Sequence, residues 1–156
     1  MGQTPIMRYN YKHDRISALA TLSVSAQRKR MGLFLRFQSR NFCAADVASF
    51  LGLLLRHLRG PVILLWDNGR IHKGPFITQL RRAHPRLHIE PFPGYAPELN
   101  PVEQVWNDFK SHTANSLLRN PRHLRSTLHN NTRRVCRSQD KLRSFIAASD
   151  LPSPPW

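Results

Sequence analysis

Apolar positions along the chain change their spacing several times, and each change marks a new element. From Ile16 to Val24 apolar and small residues alternate, and Gly32-Leu33-Phe34-Leu35-Arg36-Phe37 alternates again. This period of two predicts a pair of antiparallel strands joined around Ser25 to Arg30. Between Ala44 and Arg59 the period becomes helical, with Val47, Phe50, Leu51, Leu54, Leu55 and Leu58 on one stripe. Gly60-Pro61 then opens the continuous apolar run Val62 to Trp66, closed by Asp67-Asn68-Gly69. Such a run predicts a buried strand that ends in a turn. A helix is expected from Pro75 to Ala83, a short strand over Leu87 to Pro91, and a helix from Pro101 with apolar residues at Val102, Val105, Trp106 and Phe109. Beyond Lys110 two further helices are expected, around Pro121 to Val135 and Gln139 to Ala148.

The predicted order is strand, strand, helix, strand, helix, strand, helix, which argues an α/β fold, a mixed sheet with helices on its faces. Met1 to Lys12 carries no period and reads as an extended lead-in, and Leu151 to Trp156 as a Pro-rich tail expected to lack order. One domain over 1–148 with a tail over 149–156 fits the chain length of 156 residues.

Charge narrows the partner. Lys and Arg number 24 against 9 Asp and Glu, a formal net charge of +15, with a pI near 11.5. That excess points to a polyanion, nucleic acid before membrane, because the cations are not gathered on a helix with a large apolar face. The two cysteines, Cys43 and Cys136, have no metal-ligand spacing and fit a reducing compartment. No signal peptide is expected, and the apolar run Leu51 to Leu55 is too short to span a bilayer.

Two carboxylates carry the candidate chemistry. Asp67 stands at the carboxyl end of a strand, the edge at which ligands bind in open α/β sheets; the plainer alternative is an Asx-turn residue opening the loop. Glu103 follows Asn100, a good N-cap, and Pro101, which suits the first helical position. Its plainer alternative is a capping box in which the carboxylate reaches back to the Asn100 N–H.

Trp66-Asp67-Asn68 with His72, and the run Pro93-Gly94-Tyr95-Ala96-Pro97-Glu98-Leu99-Asn100-Pro101-Val102-Glu103-Gln104-Val105-Trp106, resemble the catalytic core of DDE transposases in the insertion-sequence branch of the mariner-like superfamily. Positions 68 through 102 put 35 residues between Asp67 and Glu103, close to the interval that superfamily keeps between its second and third acids. The resemblance spans Gly2 to Leu128. It implies an RNase H-like fold and metal-dependent cleavage and strand transfer of DNA by two Mg²⁺ or Mn²⁺ ions. Asp67 would hold one ion and Glu103 the other, with an earlier Asp bridging both.

In the family that earlier Asp lies on a strand before the segment matched here by Gly2-Gln3-Thr4-Pro5. The expectation is therefore a domain whose first strand is missing, the downstream part of a transposase, inactive alone. Asp14 is the one upstream acid of any merit, but it precedes the second strand of the fold with no apolar run around it. Asn68, His72 and Asn100 are expected as accessory residues; His72 either approaches metal or phosphate or caps its turn. Glu98 is expected to order the loop and Trp106 to pack in the core. The implied partners are DNA, as transposon ends and target, an upstream transposase fragment and a second copy of the chain, in the cytoplasm at the nucleoid. From other classes, a non-catalytic basic nucleic-acid-binding domain and an RNase H-like nuclease of other specificity remain open.

Overall fold

The alternating stretches form an antiparallel hairpin, β1 (Ser17–Val24) and β2 (Met31–Gln38), in the register Ser17 opposite Gln38 to Val24 opposite Met31. A helix follows, α1 (Ala44–His57), then β3 (Val62–Trp66), α2 (Pro75–Ala83), β4 (Leu87–Pro91), α3 (Val102–Ala114), α4 (Pro121–Cys136) and α5 (Gln139–Ala147). The computed structural model describes residues 16–27, 29–94, 96–114 and 121–152. The lead-in over residues 1–12, Asp14, Arg28, Tyr95 and the tail over 153–156 lie outside the described residues. The predicted element order holds throughout.

The sheet is mixed, but in two pieces. β1 and β2 form one antiparallel ribbon and β3 and β4 one parallel ribbon, and among the described residues no ladder joins the two. The antiparallel ribbon is the middle layer, because its side chains alternate between two cores. Leu19 and Phe34 face a cluster built from Val47, Leu51 and Leu55 of α1, Leu64 of β3, Leu80 of α2 and Leu87 of β4. Met31, Leu33, Leu35 and Phe37 face the other way, onto Val105 and Phe109 of α3, Val135 of α4 and Leu142 and Phe145 of α5.

β3 departs from the expectation of a strand buried on both sides. Leu64 is buried, whereas Ile63 and Leu65 on the opposite face are 71% and 42% exposed. A continuous apolar run does not say which face is covered, and here the described residues cover only one. Gly60, at φ +76°, makes the turn into β3. α1 stops at His57, two residues before the expected end at Arg59, and the Arg86 guanidinium donates to the Leu55 and Gly60 carbonyls there.

Two polar devices join distant parts of the chain. The Gln139 side-chain amide pairs with the Met31 backbone like a short strand, accepting from its N–H at 2.9 Å and donating to its carbonyl at 3.0 Å. Asp108 of α3, its side chain 7% exposed, receives Arg134 of α4 and Lys141 of α5, the latter at 2.8 Å. Burial pushes the Asp108 carboxyl up, but the Lys141 and Arg134 hydrogen bonds outweigh it, so the group titrates below the ordinary carboxylate value. Asp46, buried at the start of α1, is held lower still by the Arg40 guanidinium and the Cys43 N–H.

Leu142 is fully buried in the second cluster, so Leu142→Ala should cost roughly 2–5 kcal/mol of stability, read from urea unfolding. Asp46 and Asp108 titrate lower in the folded chain than unfolded, so below about pH 4 the unfolded chain binds more protons. Their stabilisation is present above that pH and is lost as pH falls through the folded values. Melting temperatures taken from pH 5 to pH 3 should therefore drop, and Asp108→Asn should flatten that dependence while lowering the plateau.

Candidate active site

Asp67 follows Trp66, the last residue of β3. Its Oδ1 accepts from the Gly69 N–H at 2.8 Å, the Asx-turn predicted as the plainer alternative. The same oxygen lies 3.1 Å from His72 Nε2, while the Asp67 side chain stays 65% exposed. Neither contact uses Oδ2, so the turn fixes the carboxylate and leaves one oxygen turned to solvent.

His72 ends the 3₁₀ turn Arg70–His72, its ring packed against Trp66 with centroids 4.5 Å apart and planes tilted by 31°. Burial pushes the imidazole below the usual histidine value, against the opposing pull of Asp67. The Asp67 carboxylate thus lies against a largely buried imidazole, 13% exposed at its side chain. The imidazole Nδ1 is buried without a hydrogen-bond partner among the described residues.

The next residue ties the two acid-bearing segments together. Asn68 Nδ2 donates to the Phe92 carbonyl at 3.2 Å, and the Phe92 N–H donates to Trp66 O at 2.7 Å. The loop that leaves β4 is thus fastened to the end of β3 before it runs through Pro97–Leu99 to α3.

At that helix Asn100 behaves as the cap predicted for it. It is extended, at φ −93° and ψ 102°, and its Oδ1 accepts from the Val102 N–H at 3.1 Å. The capping box does not form. The Asn100 N–H donates to Pro97 O at 3.0 Å instead, so the half-buried Glu103 carboxylate in the first turn is not consumed by the cap. The loop is also held from the far end of the chain: Glu98 O accepts from the Asp150 N–H at 2.9 Å, and Gln104 Nε2 donates to Ala148 O at 3.3 Å. Glu98 thus orders the loop through its backbone. Trp106 packs against the second cluster, as expected of a core residue.

Gly69 is a site residue that the sequence did not single out. A Cβ there would lie 2.8 Å from Asp67 Oδ1 and 3.2 Å from His72 Cδ2, so the carboxylate and the ring occupy the space a side chain would need. The Asp-Asn-Gly sequence predicted a turn but not that requirement.

A family model described as DDE superfamily endonuclease matches residues 1–125, and the chain belongs to that family. No curated protein sequence matches it. Among solved structures it is similar to the catalytic domain of Mos1 mariner transposase, at 14% identity and a TM-score of 0.56, covering 86% of this chain and 81% of that one. It is also similar to a chain in the simian T-cell lymphotropic virus intasome in complex with PP2A regulatory subunit B56 gamma. There the identity is 14% and the TM-score 0.52, covering 90% of this chain and 56% of that one. At such identities the likeness is one of fold, the RNase H-like fold of DDE transposase catalytic domains. Among the described residues no helix is long and apolar enough to cross a membrane.

Gly69→Ala should keep the fold but displace the Asp67 carboxylate from His72. Nitrogen NMR of the imidazole is the check. His72 should titrate lower in the variant than in the native chain, because moving Asp67 away removes the pull that opposes burial, while far-UV dichroism is unchanged.

Proposed function

We propose that this chain is the catalytic domain of a transposase that cleaves DNA strands and transfers them to a target, with Asp67 and Glu103 holding its divalent metal. The observation that carries this reading is the placement of the two acids in a member of the DDE endonuclease family. One stands at the carboxyl end of β3 and the other in the first turn of α3, with the intervening loop fastened by Asn68. A domain that only bound nucleic acid would gain nothing from carboxylates held beside phosphates.

The donor set suits a hard cation. Mg²⁺ takes one or two carboxylates and completes its octahedron with water and phosphate. Asp67 keeps Oδ2 outside its turn, and Glu103 is left out of the cap. When bound, the ion pair supplies activation of the attacking oxygen and stabilisation of the leaving one in an in-line displacement. The chain's own part is to hold its oxygens in place. Gly69 and His72 fix the Asp67 carboxylate, Asn100 sets the start of α3, and the chain's net positive charge offsets the repulsion between acids and DNA.

Among the described residues no three His, Cys, Asp or Glu side chains are gathered to hold an ion. On this proposal a bridging carboxylate would come from a further strand beside β3, which among the described residues is bonded only to β4. Asp67 and Glu103 alone would offer about one protein carboxylate per ion, fewer than a two-metal centre would need. The same observation favours the second reading, a basic nucleic-acid-binding domain without catalysis. On the first reading the protein works on transposon ends and target DNA at the nucleoid, as a homo-oligomer or with an upstream fragment.

A labelled duplex incubated with residues 1–156 and Mg²⁺ or Mn²⁺ should remain intact. Fusing an upstream segment that supplies a strand with an Asp should give metal-dependent nicking, abolished by Asp67→Asn or Glu103→Gln. Cleavage by the chain alone, lost on Asp14→Asn, would make Asp14 the third ligand. A fused chain that binds DNA but never nicks it would favour the binding domain.

A further inference from the structure

We propose that the solvent face of α4 is a docking surface for the phosphate backbone of duplex DNA, separate from the carboxylate site. This rests on the reading of the chain as a DNA-acting domain. The family match ends at residue 125, one turn into α4, so most of this surface lies beyond it.

At about 100° per residue, Arg122, His129 and Arg133 fall within about 40° of one another, Arg125 flanks them at about 60° on one side, and Arg137 follows in the turn just after α4. All five are exposed. The opposite face carries Asn131 and Val135, which are 7% and 0% exposed. α4 contains no acid. Two of its acidic neighbours are already engaged, Asp108 by Arg134 and Lys141 and Asp140 by Arg143. Among the described residues none of Arg122, Arg125, Arg133 and Arg137 takes part in an ion pair.

Unpaired arginines in a row, on a helix whose back is locked into a core, form a preorganised cationic rail. The rail meets its partner with little further ordering of the backbone. From Arg122 to Arg133 it runs about 17 Å at about 1.5 Å per residue, a length over which one strand of B-DNA presents about five phosphates. Guanidinium groups suit phosphate oxygens because their forked donors match two at once. A lipid surface is the poorer fit. Between these cations stand Ser126 and Asn130, and none of the exposed large apolar residues, Val24, Leu53, Ile63, Leu65 and Phe76, lies on α4.

The test titrates one labelled duplex with the full chain at several salt concentrations. The triple variant Arg122→Gln, Arg125→Gln, Arg133→Gln is compared with a control, Arg56→Gln, Arg81→Gln, Arg82→Gln, which removes three exposed arginines from α1 and α2. Far-UV dichroism and melting temperature confirm that both variants fold. The α4 triple should weaken binding at low salt by about tenfold or more and flatten the plot of log K against log salt by up to about 2.7, at about 0.9 per phosphate contact. The control should change both far less. Equal losses in the two variants would mean that net charge alone drives binding, and native affinity in the α4 triple would mean that the rail is unused; either overturns the proposal. If the native chain binds no duplex at low salt, the DNA-acting reading fails with it.

Discussion

Glu103 keeps a fixed place only if α3 is held from behind, and that hold centres on Asp108. Its carboxylate is nearly buried between Arg134 of α4 and Lys141 of α5. A buried charge with both cations in place is tolerable, whereas the same charge with one removed is strongly destabilising. The three helices are therefore tied by a contact that resists partial opening, and the apolar cluster of Val105, Phe109, Val135 and Leu142 packs around it. The orientation of α3, which sets Glu103, and that of α4, which presents the arginine row, are fixed by one anion.

The other acid is held by a different logic. Asp67 sits on an exposed turn, where a free carboxylate would sample several rotamers, and its constraint comes from spending one oxygen on Gly69 N–H and the buried edge of His72. Trp66 backs the ring. The outward oxygen is thus preorganised at the cost of half the carboxylate's hydrogen-bonding capacity. The chain as a whole carries a large positive excess, which offsets the repulsion that an anion meets at a carboxylate.

The order of elements was legible because each segment keeps one period long enough to exclude the other, as in the helical stripe from Val47 to Leu55 and the alternation from Met31 to Phe37. Asp67 and Glu103 could be named because their interval and flanking residues match a family, and Asn100 because a cap before Pro101 has one mechanical meaning. Other features depend on geometry that no spacing encodes. The run Val62 to Trp66 looks the same whether one face is covered or two, yet Ile63 and Leu65 are open. Gly69 was visible as a turn residue, while its closeness to the Asp67 carboxylate depends on a side-chain rotamer. Asp108 lies on a polar stretch of α3, and its partners stand on two other helices.

The pairing of the Gln139 amide with the Met31 backbone bridges 108 positions of sequence. One of the two cores is therefore assembled from a hairpin made early and helices made late, a topology of high contact order. During synthesis the apolar side of β2, with Leu33 and Phe37, has to wait for Leu142, Phe145 and Ile146 to leave the ribosome. Over that interval it is a sticky ribbon open to other chains. A chain shortened at residue 125, where the family match stops, would keep both acids and lose the helices that close this core.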